Sequence, residues 1–193
     1  MRHLVLPLSI LALTLVSTEA SAARTKYTVD WNTIHSPGQT VNGVKITTTY
    51  YGGTNYLGSG WNGVWIGSRA TNDLRIHFSS DVYEFCWYAT AQNIGEKVTM
   101  TTSRGSGNTF SVVDTGTVKS TLSGNVVWWS DVVWQEKDET LTCVKNTSGF
   151  TWLHLDHNGV GNGLVITRRV YMDGSGCTLK TWYRDADADT WGS

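Results

Sequence analysis

Residues 73–78 read Asp-Leu-Arg-Ile-His-Phe, with apolar and polar side chains alternating position by position. An extended strand turns successive side chains to opposite faces, so Leu74, Ile76 and Phe78 share one side while Arg75 and His77 share the other. Residues 150–155, Phe-Thr-Trp-Leu-His-Leu, repeat the pattern: Leu153 and Leu155 point one way, and Trp152, His154 and Asp156 the other. Nine further stretches have strand length and β-rich composition: KYTVDW from 26, VNGVKITTTYY from 41, GVWIG from 63, VYEFCWYA from 82, KVTMTT from 97, TFSVV from 109, NVVWWSDVVW from 125, TLTCV from 140 and GLVITRRVYM from 163. Turn signals separate them at Ser36-Pro37-Gly38, Gly52-Gly53, Ser103 to Asn108, Ser123-Gly124-Asn125, Ser148-Gly149 and Asn158 to Gly163. Without a 3.6-residue apolar stripe, the expected fold is all-β: a two-sheet antiparallel β-sandwich of jelly-roll type.

Composition agrees. The chain has 27 Thr and 19 Val against 14 Leu, and six of those Leu precede residue 16, so the remainder is rich in β-branched residues. With 40% hydrophobic residues in 193, one globular domain is expected. Fifteen Lys and Arg against 16 Asp and Glu give a net charge of −1, which excludes general binding to a phosphate polyanion.

The first residues read as an export signal. Arg2 and His3 precede an apolar run from Leu4 to Val16, and Ala20-Ser21-Ala22 supplies small residues for cleavage. Ser17, Thr18 and Glu19 end the run short of the roughly 20 residues a membrane span needs. The expected organisation is a signal peptide over 1–22, a β-sandwich domain over 24–172 and an Asp-rich tail over 177–193, in a secreted or cell-surface protein with no membrane span in the mature chain.

The tail, TWYRDADADTWG from 181, places Asp185, Asp187 and Asp189 at alternate positions, followed by Trp191. Carboxylates at relative positions 1, 3 and 5 with a backbone carbonyl at 7 suit Ca²⁺, a hard cation that takes 6–8 oxygens. The stretch resembles the Asp-rich repeat of secreted bacterial surface proteins, whose logic is that of thrombospondin type 3 repeats. That resemblance implies Ca²⁺ ligation by Asp185, Asp187, Asp189 and the Trp191 carbonyl, with Tyr183 packing beside the loop. Lacking a bidentate acid at the twelfth loop position, the site should be weak, roughly 10⁻⁴–10⁻³ M. Residues 78–82, Phe-Ser-Ser-Asp-Val, are similar to a strand pair of bacterial β-sandwich modules, which implies the same fold.

Ten Trp residues are the second signal. Exposed indole rings stack on the apolar faces of sugars, and buried ones fill a core. Trp61 and Trp65 sit in a Gly-rich stretch, Trp128 and Trp129 face opposite ways if extended, and Trp152 points away from Leu153, so Trp61, Trp65, Trp129 and Trp152 are candidate ligand-binding residues.

Catalytic signals are sparse. A jelly-roll glycosidase of xylanase type needs two facing carboxylates, and beyond the export signal the chain has only Glu84, Glu96, Glu136 and Glu139. A Glu84/Glu136 pair is the one to consider, although Glu84 reads as a surface or strand-edge acid. His154, Asp156 and His157 cannot converge on a metal from one straight strand. Cys86, Cys143 and Cys177 are an odd number, and Cys86–Cys143 is the preferred bridge because both lie in apolar strands. Asn146-Thr147-Ser148 fits a glycosylation sequon. The leading expectation is a non-enzymatic module binding an extracellular glycan or surface protein; a jelly-roll glycoside hydrolase is the alternative.

Overall fold

The computed structural model describes residues 26–29, 38–51, 63–67, 73–130, 138–161, 163–167 and 170–174. The Asp-rich tail, the export signal and Trp61 lie outside these residues. Twelve strands run in chain order: β1 (Lys26–Val29), β2 (Gln39–Val41), β3 (Val44–Tyr51), β4 (Gly63–Ile66), β5 (Asp73–Thr90), β6 (Lys97–Thr102), β7 (Asn108–Asp114), β8 (Ser120–Ser123), β9 (Val126–Trp129), β10 (Thr140–His157), β11 (Leu164–Thr167) and β12 (Val170–Gly174). Every pairing is antiparallel. The described residues contain no helix, so the all-β antiparallel class read from the alternation is the class observed.

Two strands of 18 residues, β5 and β10, form the spine. They pair with each other from Ala89↔Thr140 at one end to Leu74↔Leu155 at the other. Near Asp73, β5 carries β3 on its second side; near Cys86 it carries β12, and at Ala89 and Thr90 it carries β11. β10 changes neighbour in the same way, with β7 along residues 140–146 and β6 along 153–157. The spine thus joins two halves of one hydrogen-bonded network.

The change of neighbour coincides with a bend. The β10 register slips between Lys145 and Phe150 and again before Trp152, as β-bulges do when they re-aim a strand. Arg104 fixes this corner: its Nε donates to the Gly149 carbonyl at 2.7 Å, and one terminal nitrogen donates to the Ser148 carbonyl at 3.0 Å and meets Asp81 at 3.3 Å. Gly149 has φ of 70°, and a Cβ there would come within 2.7 Å of the Asp81 side chain, so only glycine turns this corner freely. The Ser148-Gly149 signal is therefore a bulge inside one continuous strand, and Ser79-Ser80 likewise lies within β5. The reverse holds at residues 41–51, where a two-residue turn with positive φ at Asn42 (46°) and Gly43 (78°) divides the stretch into the β2–β3 hairpin.

Bending brings the inward side chains of both halves into one core. Leu74, Ile76 and Phe78 from one end of β5 meet Phe85 and Trp87 from the other, and Phe78 packs on Phe85 and Phe150 at centroid distances of 5.3 and 5.9 Å. From β9, the Trp129 indole donates to Thr140 Oγ1 on β10 at 2.8 Å.

Cys86 and Cys143, directly opposite each other on β5 and β10, are joined by a disulfide across a sequence separation of 57. Closing such a loop restricts the unfolded chain by an amount that central tendencies put at about 2–4 kcal/mol. The Cys86→Ala/Cys143→Ala double variant should lose stability of this size in urea unfolding with the folded β circular dichroism spectrum retained; an unchanged midpoint would show that the strand ladder alone carries the spine.

Candidate functional site

The half of the sheet built from β3, β5, β10 and β6 buries Ile46, Leu74, Ile76, Leu153 and Leu155 on one face. Its other face follows from register. Thr47, His77 and Trp152 form one row; Thr49, Arg75, His154 and Thr101 form the next; Tyr51 lies opposite Asp73 in a third. Side chains one row apart on neighbouring strands touch when they are long. The Arg75 guanidinium accordingly lies over two rings, with its carbon 5.1 Å from the Tyr51 centroid and 4.5 Å from that of Trp152. Tyr51 also meets the His154 ring edge-on at 5.6 Å. Tyr51, Arg75 and Trp152 therefore form a diagonal aromatic strip across three strands, each ring held by the cation between them. Tyr51 is 39% exposed, and Trp152 is half-buried.

Titratable groups border the strip. His154 Nε2 lies 3.7 Å from the Asp73 carboxylate, and His77 Nε2 lies 3.0 Å from Thr49 Oγ1. Partial burial, with Arg75 nearby, holds both imidazoles below their ordinary pKa, so at neutral pH each offers one donor and one acceptor. Burial pushes the Asp73 carboxyl up; the adjacent Asp156 carboxyl, to which it hydrogen-bonds, adds to this, while the His157 N–H and His154 pull the other way. The Arg75 Nε and His154 Nε2 atoms are buried with no hydrogen-bond partner among the described residues.

Of the four candidate tryptophans, Trp152 belongs to this strip. Trp129 does not: it is 1% exposed, its indole nitrogen is bonded to Thr140, and it is a core residue rather than a ligand platform. Which member of the Trp128–Trp129 pair turns inward is set by a partner 11 residues away, and Trp128 takes the half-buried outward position. Trp65 sits on β4, which joins the sheet through β11 at the far end of β5 from Arg75. Tyr51, Arg75 and His77 carried no motif, because only the β3–β5–β10 register assembles them.

Glu84 is neither surface nor edge. Strands β12 and β10 flank it, and its carboxylate lies 3.2 Å from Lys26 and 3.5 Å from Lys145, beside the disulfide. Glu84, Cys86 and Cys143 are close enough together to share a metal ion, but both sulfurs are committed to the bridge. Glu96 is buried and accepts from the Asn93 and Gly163 backbone N–H groups at 2.7 and 2.9 Å, which pins two loops together. Asn146 is also buried, its amide donating to the Ser106 carbonyl and to Asn108, so the sequon nitrogen is engaged within the fold.

No protein-family model, curated protein or solved structure matches this chain.

His157 closes the end of β10 beneath the strip. Its Nδ1 accepts from the Gly159 N–H at 3.0 Å, and a Cβ on Gly67, which has φ of 77°, would collide with its ring. Burial lowers its pKa from 6.5 to about 4, against a smaller opposing pull from Asp156. The unfolded chain therefore takes up the proton at a higher pH than the folded one does, and the stabilisation is complete above about pH 6.5 and lost as pH falls toward 4. At about 1.4 kcal/mol per pKa unit, the loss between pH 7.5 and 4.5 should be about 2–3 kcal/mol. Urea unfolding at the two pH values should show this loss in the wild type and a smaller one in His157→Gln; equal losses would place the acid sensitivity elsewhere.

Proposed function

We propose that this chain is a secreted, non-enzymatic carbohydrate-binding module on a jelly-roll-type sandwich, and that it binds an extracellular glycan along the Tyr51–Arg75–Trp152 strip. The observation that carries this reading is the strip itself: two amphipathic rings held by one guanidinium on a rigid sheet face and bordered by imidazole and carboxyl groups. Aromatic faces cover the C–H faces of sugars, and the flanking polar atoms suit their hydroxyls. The carboxyl geometry favours binding over cleavage. Glu84 is occupied by two lysines.

Trp152→Ala should weaken binding to oligosaccharides by about tenfold, which corresponds to about 1.4 kcal/mol, while Trp129→Phe should lower the unfolding midpoint and leave affinity unchanged. Affinity electrophoresis in polysaccharide gels, with a reducing-sugar assay alongside, tests both; release of reducing ends by the wild type would overturn the binding reading.

In the same proposal, Asp185, Asp187, Asp189 and the Trp191 carbonyl hold Ca²⁺ in the tail, in line with a bacterial surface or matrix protein. Three carboxylates within five residues repel one another until a cation neutralises them. Calorimetry should record weak Ca²⁺ binding that disappears in Asp185→Ala/Asp187→Ala, and persistence of the signal would move the site off the tail.

A further inference from the structure

We propose that the cleft between β6 and β7 is a second sugar site, which takes a single neutral sugar unit of the glycan held by the strip; the proposal deepens the carbohydrate-binding reading and rests on it. The cleft is a consequence of the spine. β10 is paired to β7 as far as Asn146 and to β6 only from Leu153, so the two strands part where β10 bulges. On its other side β6 is paired to β9 only through Thr99, which leaves Met100 to Thr102 lining an opening of about 340 Å³. That volume lies at the lower end of ligand pockets, suited to one pyranose rather than a chain.

The lining chemistry selects the ligand. Phe110 supplies apolar surface, with the fully buried Met100 behind it, Thr101, Ser106, Asn108 and Asn125 supply hydroxyl and amide groups, and no lining side chain carries a charge. Two amides are oriented by the fold. Asn108 accepts through Oδ1 from Thr102 Oγ1 at 3.0 Å and from Asn146 Nδ2 at 2.9 Å, and among the described residues nothing accepts from its Nδ2. Asn125 donates through Nδ2 to the Met100 carbonyl at 2.8 Å, and its Oδ1 receives no hydrogen bond from the described residues. One amide thus presents donors and the other an acceptor, a pair that matches sugar hydroxyls, each of which both donates and accepts. An anionic sugar would enter a site with no counter-charge and lose hydration without repayment.

Position ties the cleft to the strip. Thr101 lines the cleft and is also the register partner of His154, which is itself the partner of Arg75. Thr101 is therefore one strand spacing, about 4.8 Å, from His154 at the border of the strip, while its neighbours Met100 and Thr102 turn to the opposite face of β6. A glycan lying across Trp152 and His154 reaches Thr101 next.

Nitrogen-15 NMR titration of the mature protein with methyl glycosides of glucose, mannose, galactose and xylose, and separately with glucuronate, reads both places at once. At least one neutral glycoside should shift the Asn108 and Asn125 side-chain amide signals, and glucuronate should not. Ser106→Trp, at an exposed position on the cleft rim, should abolish those shifts and lower oligosaccharide affinity about tenfold while the Trp152 indole still responds. Cleft shifts that persist in Trp152→Ala would support the site independently of the strip. A response confined to Trp152 would overturn the cleft and leave the strip standing; silence at both under conditions where the protein is folded would overturn both, as would a stronger cleft response to glucuronate for the neutral-sugar assignment.

Discussion

Two antiparallel strands of 18 residues are too long to stay straight and still bury a single face in a domain of this size. The pairing of β5 with β10 therefore depends on the bend at residues 146–152, and the bend depends on what satisfies its backbone. A bulge exposes carbonyls that the ladder no longer uses. Arg104 takes two of them, at Ser148 and Gly149, and Ser103 Oγ accepts from the Thr151 N–H at 2.8 Å. A planar guanidinium with several donors in fixed directions suits this task, whereas a lysine ammonium is a point charge whose three donors rotate on a flexible stem and fix no such geometry. Once the corner is fixed, the apolar faces of the two ends turn toward each other, and the single core of Leu74, Phe85, Trp87, Phe150 and Leu155 follows.

The corner also explains why buried polar groups gather where the halves meet. Thr140 Oγ1 receives the Trp129 indole and donates to Asp114 Oδ1 at 2.8 Å, and Asp114 Oδ2 in turn accepts from the Ser120 N–H. Thr140 and Asp114 are register partners in the β10–β7 ladder, and the Thr140 hydroxyl ties β9 to that ladder through the Trp129 indole. Its loss would strand an indole N–H in a place without water, a cost larger than the hydrogen bond itself contributes. Asp138 plays a related part, accepting from Thr117 at 2.9 Å at the mouth of the neighbouring loop.

The strand class was legible because burial on one face imposes a period of two, and Leu74, Ile76, Leu153 and Leu155 are fully buried where alternation places them. Alternation fixes parity, not sign, for a pair such as Trp128 and Trp129, where both phases put one indole inside; the contact that decides comes from Thr140 on another strand. Strand ends were poorly legible for a different reason. Ser79-Ser80 and Ser148-Gly149 have turn composition, but the pairing energy of a long ladder overrides local preference. The Asn42-Gly43 turn carries the Asn-Gly pair of a tight hairpin, yet it sits inside a stretch of continuous β-rich composition that masks it. Glu84 looked like an edge acid because nothing local announces that β12, more than 80 residues later, returns to its side.

The strip shows the limit most clearly, and also why a sheet is a suitable place for it. Tyr51, Arg75 and Trp152 come from segments up to about 100 residues apart, and a slip of one residue in either ladder would turn one of them into the core. The same buried leucines and isoleucines that forbid that slip therefore align the rings. Because Arg75 lies over both rings, their orientations are set by the fold itself. The inward face thus sets the geometry of the outward one: Ile76 and Leu153, opposite each other in the core, hold Arg75 and Trp152 one residue away on the face that meets solvent.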